Sequence, residues 1–152
     1  MGSSLMSGAI LSTFNWSENR RAGHLGARYR TGPLTVVGLV QRATVKGSTL
    51  GLDQKVATVG VGASYRLGER FTIKGQHYAL SADGDGRDAG MTAVGVDYQL
   101  ARPLRLMFAF ARTSNDDLVR YGMSRGGHAA QQLAAATGLD PQGFSVAVRY
   151  DF

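Results

Sequence analysis

From residue 143 to its last residue the chain reads Gly143-Phe144-Ser145-Val146-Ala147-Val148-Arg149-Tyr150-Asp151-Phe152, an unbroken alternation of apolar with small or polar side chains. On an extended strand successive side chains point to opposite faces. Phe144, Val146, Val148, Tyr150 and Phe152 therefore share one face, and Ser145, Ala147, Arg149 and Asp151 share the other. A helix would scatter both sets around its axis. The apolar row begins and ends in aromatic rings, the placement expected of a strand whose outer face meets lipid and whose rings sit at the two membrane interfaces.

The same period recurs upstream. It predicts strands near residues 9–16, 23–30, 34–42, 55–67, 70–80, 90–100, 104–112 and 143–152. In the clearest internal one, Ala57, Val59, Val61, Ala63, Tyr65 and Leu67 oppose Thr58, Gly60, Gly62, Ser64 and Arg66. Phe71, Ile73, Gly75, His77 and Ala79 then oppose Thr72, Lys74, Gln76 and Tyr78. The connections alternate in length. Tight turns are expected at Thr31-Gly32-Pro33, Gly68-Glu69 and Ala101-Arg102-Pro103, where Gly and Pro supply the backbone angles. Between them lie the longer stretches 17–21, 44–54, 81–89 and 113–142, and within the last of these Ala129 to Thr137 is a good local helix former. Short turns on one side and long loops on the other is the rule for outer-membrane barrels. The expected fold is all-β: an antiparallel transmembrane β-barrel of about eight strands, one domain over residues 1–152, with the short turns on the side where Phe152 ends.

Composition enters as a test of that expectation. No run approaches the roughly 18 apolar residues of a membrane helix, and mean hydropathy is −0.12. A β-barrel tolerates that value because its inward face is polar. The chain has no cysteine, so disulfides and thiolate metal sites are excluded. Its formal net charge is +6, but only Arg20-Arg21 are adjacent among the basic residues of the strands and turns, so a nucleic-acid partner is not expected. Met1 to Thr13 lacks the basic start and unbroken apolar run of a signal peptide. The chain is thus expected to be a processed, recombinant or truncated form of an exported protein.

Motifs for chemistry are weak. Asp83-Gly84-Asp85-Gly86-Arg87-Asp88 has the look of a calcium loop, yet Arg87 stands where an oxygen ligand is needed and Val94 where a bidentate Glu is needed. A solvated loop tip is the better reading. Gly60-Val61-Gly62 lacks the third glycine and the helix of a dinucleotide fingerprint. His24, His77 and His128 sit on separate segments with no catalytic spacing. No enzyme activity, metal or cofactor is expected.

The inward face carries Arg28, Arg30, Arg66, Lys74, Arg105 and Arg149, with Asp97 and Asp151 partly offsetting them. This set reads either as an ordinary solvated strand face or as a lumen wall whose summed field raises the local anion concentration. Tyr29, Tyr65, Tyr98, Phe110 and Tyr150, near strand ends on the apolar face, are placed as interfacial girdles.

In its segments Tyr29-Arg30-Thr31-Gly32-Pro33-Leu34, Gly95-Val96-Asp97-Tyr98-Gln99-Leu100, Phe110-Ala111-Arg112-Thr113-Ser114-Asn115-Asp116 and Asp140-Pro141-Gln142-Gly143-Phe144-Ser145-Val146, and in its terminal Phe152, the chain resembles the Gram-negative general porins of β-proteobacterial type. The resemblance runs along nearly the whole chain. It implies the C-terminal half of a barrel of about sixteen strands, homotrimeric when intact, in the outer membrane among membrane lipid and lipopolysaccharide. It implies passive diffusion of small hydrophilic solutes and ions. It also implies that Phe144, Val146, Val148, Tyr150 and Phe152 form the strand recognised by the barrel-assembly machinery. The family's constriction loop belongs to the N-terminal half, so no constriction residue carries over.

Eight strands of such a barrel would be half a cylinder with two unpaired edges, which lipid does not tolerate. An open or strained curved sheet, or a dimer closing two halves, is expected of the isolated chain. Two other readings are a small eight-stranded barrel with a plugged interior, serving as outer-membrane anchor or adhesin, and a soluble ligand-binding β-barrel.

Overall fold

Three short reversals set the architecture. Gly32 and Gly68 carry positive φ, 53° and 63°, conformations that strain any residue with a Cβ and that suit tight hairpin turns. Gly32-Pro33 is a two-residue turn of the kind with glycine first. Arg102-Pro103 makes another, and Gly68, Glu69 and Arg70 make the third. Each joins two strands too long for a soluble hairpin of ordinary size.

The computed structural model describes residues 11–17, 20–46, 54–124, 132–133 and 136–152. Its strands are β1 (Leu11–Ser17), β2 (Arg20–Thr31), β3 (Leu34–Val45), β4 (Gln54–Leu67), β5 (Phe71–Ala82), β6 (Ala89–Ala101), β7 (Leu104–Asn115), β8 (Met123–Ser124), β9 (Gln132–Leu133) and β10 (Gln142–Tyr150). The first seven pair in chain order and β10 adds to β7, giving an eight-stranded antiparallel meander. Among the described residues β1 and β10 do not pair, so the sheet is open.

Most ladders outrun the alternation at their long-loop ends. Arg20 and Arg21, in a stretch expected to be loop, pair with Val45 and Thr44, and β7 continues through Asn115 opposite Ala89. Backbone pairing needs no apolar side chain, so it persists after the pattern fades. The run Ala129 to Thr137, which could form a short helix, falls partly outside the described residues. Within it Gln132 and Leu133 form a short ladder with Ser124 and Met123, so pairing overrides the helical preference of an Ala-rich run, which is a weak bias.

The register sorts the side chains. One face carries the chain Tyr29, Val36, Ala63, Gly75, Val94, Phe110, Phe144 and its neighbours two residues either way. The opposite face carries Arg30, Thr35, Ser64, Lys74, Gly95, Ala109 and Ser145. The apolar face is the exposed one: Val59 is 56% accessible, Val146 60% and Phe144 83%. Among the described residues no apolar side chain forms a buried core, and the buried strand positions, Gly60, Gly62, Asp97, Thr113 and Asn115, all lie on the polar face. A cavity of about 420 Å³ reaches from Thr35 on β3 to Ser145 on β10 across that face, which a sheet forms only on its concave side. The burial is inside-out relative to a soluble domain, as lipid requires.

Candidate functional site

The concave polar face gathers its charges toward the short-turn end. Period-2 alternation puts Arg28 and Arg30 on β2, Arg66 on β4, Lys74 on β5, Asp97 on β6 and Arg105 on β7 all on one side. The register then places Arg30 beside Thr35, Ser64 beside Lys74, and Arg66 beside Thr72, itself beside Asp97. A polar depression of about 510 Å³ is lined by these five cations with two carboxylates, Asp97 and Glu69. Glu69 sits in the second turn, and periodicity could not assign it a face.

Asp97 is the organising anion. It is 8% accessible and accepts from Lys74 Nζ, with Arg105 NH1 3.9 Å away. Burying a carboxylate is costly unless it is paired and hydrogen-bonded, and this one has a cation on each neighbouring strand. Arg105 is steadied by its Nε donating to Gln99 Oε1 at 3.1 Å. The Gln99 amide in turn donates to the carbonyls of Ala101 at 2.6 Å and Arg102 at 3.1 Å. Gln99 thereby ties the third turn to the charged cluster, at a point where the β6–β7 register slips between Gln99 and Ala101. A strict alternation contains no sign of that bulge.

The remaining cations are less engaged. Arg30 Nε donates to Thr35 Oγ1 at 3.3 Å. Neither guanidinium of Arg28 and Arg66 has an ion pair or hydrogen bond among the described residues. Arg149 stands apart from the depression. It lies directly opposite Arg105, a like-charge pairing that repels, and it turns to Asp151 at 2.7 Å. The inward set thus divides into a cluster of five cations and one cation neutralised at the sheet edge.

On the outward face Phe71 and Tyr98 stack with ring centroids 4.7 Å apart, and Tyr150 meets Phe152 edge-on at 5.1 Å. Tyr29, Tyr65, Tyr98 and Tyr150 lie beside the short turns. Phe110 pairs with Phe144 toward the opposite, long-loop end of its ladder. His77 Nδ1 and Thr92 Oγ1 are 2.8 Å apart on this same face. His128 lies outside the described residues. At the 83–88 loop the Asp88 carboxylate accepts from Ala82 N–H at 3.3 Å, and the Asp88 N–H donates to the Asp116 carboxylate at 3.2 Å. Among the described residues no three metal-ligating side chains converge.

A second polar constellation lies at the long-loop end, and sequence reading missed it. Asn115, 8% accessible, donates through Nδ2 to the carbonyls of Tyr121 at 3.0 Å and Leu139 at 2.7 Å, and accepts from Tyr121 N–H at 3.0 Å. Asp140 accepts from Asn115 N–H at 2.9 Å and from Arg112 NH2 at 2.9 Å. Those two donors hold the Asp140 carboxyl below the usual carboxylate range. Both ends of the longest connection are therefore pinned to the end of β7.

This arrangement, a meander with an apolar exterior, a charged concave face and loops sorted by length, has relatives among known proteins. The sequence model described as Gram-negative porin covers residues 5–118. The chain belongs to the Gram-negative porin family. Among solved structures it is similar to the "Anion-selective porin from Comamonas acidovorans", with 25% identity and a TM-score of 0.77 over 88% of this chain. The chain spans 39% of that structure's length. No curated protein matches the sequence. Family membership implies an outer-membrane location and a fold of the β-barrel type.

Proposed function

We propose that this chain forms part of the wall of a water-filled channel through which small hydrophilic solutes and ions diffuse passively, with a preference for anions. The observation that carries the reading is the concave face itself, where five cations meet only two carboxylates in one polar depression. A field of that sign, focused by low-dielectric walls, raises the local concentration of anions. The similar Comamonas acidovorans structure is named as anion-selective, which supports the same direction.

In this reading Arg28, Arg30, Arg66, Lys74, Asp97, Arg105 and Arg149 line the lumen. The eight strands are the C-terminal half of a barrel of about sixteen, which assembles as a homotrimer among outer-membrane lipid and lipopolysaccharide. The outward row Phe144, Val146, Val148, Tyr150 and Phe152 is the signal read by the barrel-assembly machinery. Lipid does not tolerate open sheet edges, so conduction requires complementary strands along β1 and β10. Planar-bilayer recording tests both parts. The closed pore is expected to show a reversal potential favouring chloride over potassium, and Arg30→Gln with Arg66→Gln is expected to reduce that permeability ratio severalfold. An unchanged ratio would remove the selectivity reading. Stable conductance of full-pore size from the pure 152-residue monomer would remove the requirement for further strands.

A further inference from the structure

The inward face of a water-filled barrel is polar, and an apolar side chain there is left partly in water, which folding alone does not favour. The concave face follows this rule on β2, where His24, Arg28 and Arg30 share it. It departs from the rule across the middle of β3, β6 and β7. There the concave positions are Val37, Ala93, Gly95, Met107, Ala109 and Ala111, none with a polar side chain.

These residues line the cavity of about 420 Å³, a volume within the roughly 300–1,000 Å³ of small-ligand sites. Val37 on β3 and Met107 on β7 stand on either side of it, and Gly62, Ala93 and Gly95 leave a low floor between them. Val37 keeps 41% of its surface exposed. The cavity meets the cationic depression edge to edge, for Thr35, Ser64, Lys74 and Asp97 line both. Arg28 lies directly opposite Val37 in the β2–β3 ladder, and Arg66 follows Ser64 by two residues on the same face of β4. These are the two guanidinium groups of the depression without an ion pair or hydrogen bond among the described residues, whereas Lys74 is held by Asp97. Positions two apart on a strand are separated by about 7 Å. One small molecule can therefore reach a free cation and the apolar floor together.

We propose that the cavity and the depression together form a site for a small aromatic carboxylate. Its carboxylate pairs with a guanidinium, whose planar fork matches both oxygens. Its ring lies on the floor of glycine and alanine, where nothing bulky holds it off, with the Met107 thioether as a favourable neighbour for an aromatic edge. Chloride or acetate would use the cations and leave the floor wet. A neutral arene would use the floor and leave the cations unmatched. A site walled on one side binds weakly, and conduction requires that a bound solute can leave. The site rests on the reading of the concave face as an anion-conducting lumen wall, and the two fail separately.

The test is single-channel recording of the barrel closed by complementary strands, in potassium chloride with added benzoate, acetate or benzamide. Benzoate is expected to reduce the chloride current at about tenfold lower concentration than acetate, the effect of roughly 60 Å² of apolar surface leaving water. Benzamide, which has the ring without the charge, should block no better than acetate. Val37→Thr with Met107→Gln should bring the ratio of benzoate to acetate block close to unity. Equal block by benzoate and acetate in the unaltered pore would overturn the site, and is the result expected if another segment of the closed barrel covers the floor. Equal block by benzamide and benzoate, or an undiminished benzoate advantage in the double variant, would overturn it as well. A pore with no preference for chloride would instead overturn the lumen reading beneath it.

Discussion

At the scale of single residues, the inward glycines separate by what lies above them. A Cβ on Gly95 would come within 2.9 Å of the Phe108 carbonyl oxygen, part of the backbone of the neighbouring strand. A Cβ on Gly60 would meet the Tyr78 ring, the far end of a side chain rather than backbone. Gly75, on the outward face, has nothing within 4 Å. Overpacking costs about 1–3 kcal/mol where neighbours cannot yield. Gly95→Ala is therefore expected to destabilise most, Gly60→Ala less, and Gly75→Ala hardly at all. Urea unfolding from lipid vesicles of the barrel closed by complementary strands, read by the change in gel mobility between folded and unfolded forms, would give this order, and a Gly75→Ala loss as large as that of Gly95→Ala would contradict it. The sequence announced that Gly60 and Gly62 face inward. It could not announce that Gly95 is the position with no slack, because that depends on how closely β6 and β7 approach.

At the scale of elements, the longest connection is held by its ends. Asn115 supplies two donors and an acceptor to Tyr121 and Leu139, and Asp140 returns to Asn115 and Arg112. Each hydrogen bond of the buried Asn115 side chain is worth about 1 kcal/mol net, and more if its loss strands a buried partner. Asn115→Ala should release the segment between Asp116 and Pro141, and limited trypsin digestion should then cut at Arg120 about tenfold faster, while the strands stay protected. The pH dependence follows from the sign of the Asp140 shift. A carboxyl whose folded pKa is depressed contributes fully above its unfolded value, about 4, and loses its contribution as pH falls through the folded value. Digestion at Arg120, normalised at each pH to cleavage of an unstructured reference peptide because trypsin itself slows in acid, should thus be the same at pH 7 and pH 5 for the unaltered chain, whereas Asp140→Asn should speed it at both. The strands themselves were legible because alternation is a local signal. The anchor was not, since Arg112 and Asp140 are 28 residues apart and only the folded ladder brings them together. The lumen cluster falls between: its faces were readable residue by residue, its members' partners only through register.

For the whole molecule, the reversal of inside and outside is the governing feature. Neighbouring residues on one strand should respond oppositely to the same substitution. Val146→Arg, on the exposed apolar row, is expected to cost about 2–4 kcal/mol in vesicle refolding of the barrel closed by complementary strands, and Ala147→Arg, on the concave side, close to nothing; equal costs would argue against a lipid-facing exterior. The count of strands carries a consequence of its own. Eight antiparallel strands leave β1 and β10 running in opposite directions, so the two margins have the polarity of an ordinary hairpin pair. A wall of this kind can gain or lose a whole hairpin and still present margins of matched direction, with its short turns on the same side as before. Loss of a single strand would instead leave two parallel margins and turn the next loop to the wrong side of the membrane. The hairpin, rather than the strand, is thus the smallest step by which such a wall could grow, shrink or recombine with another.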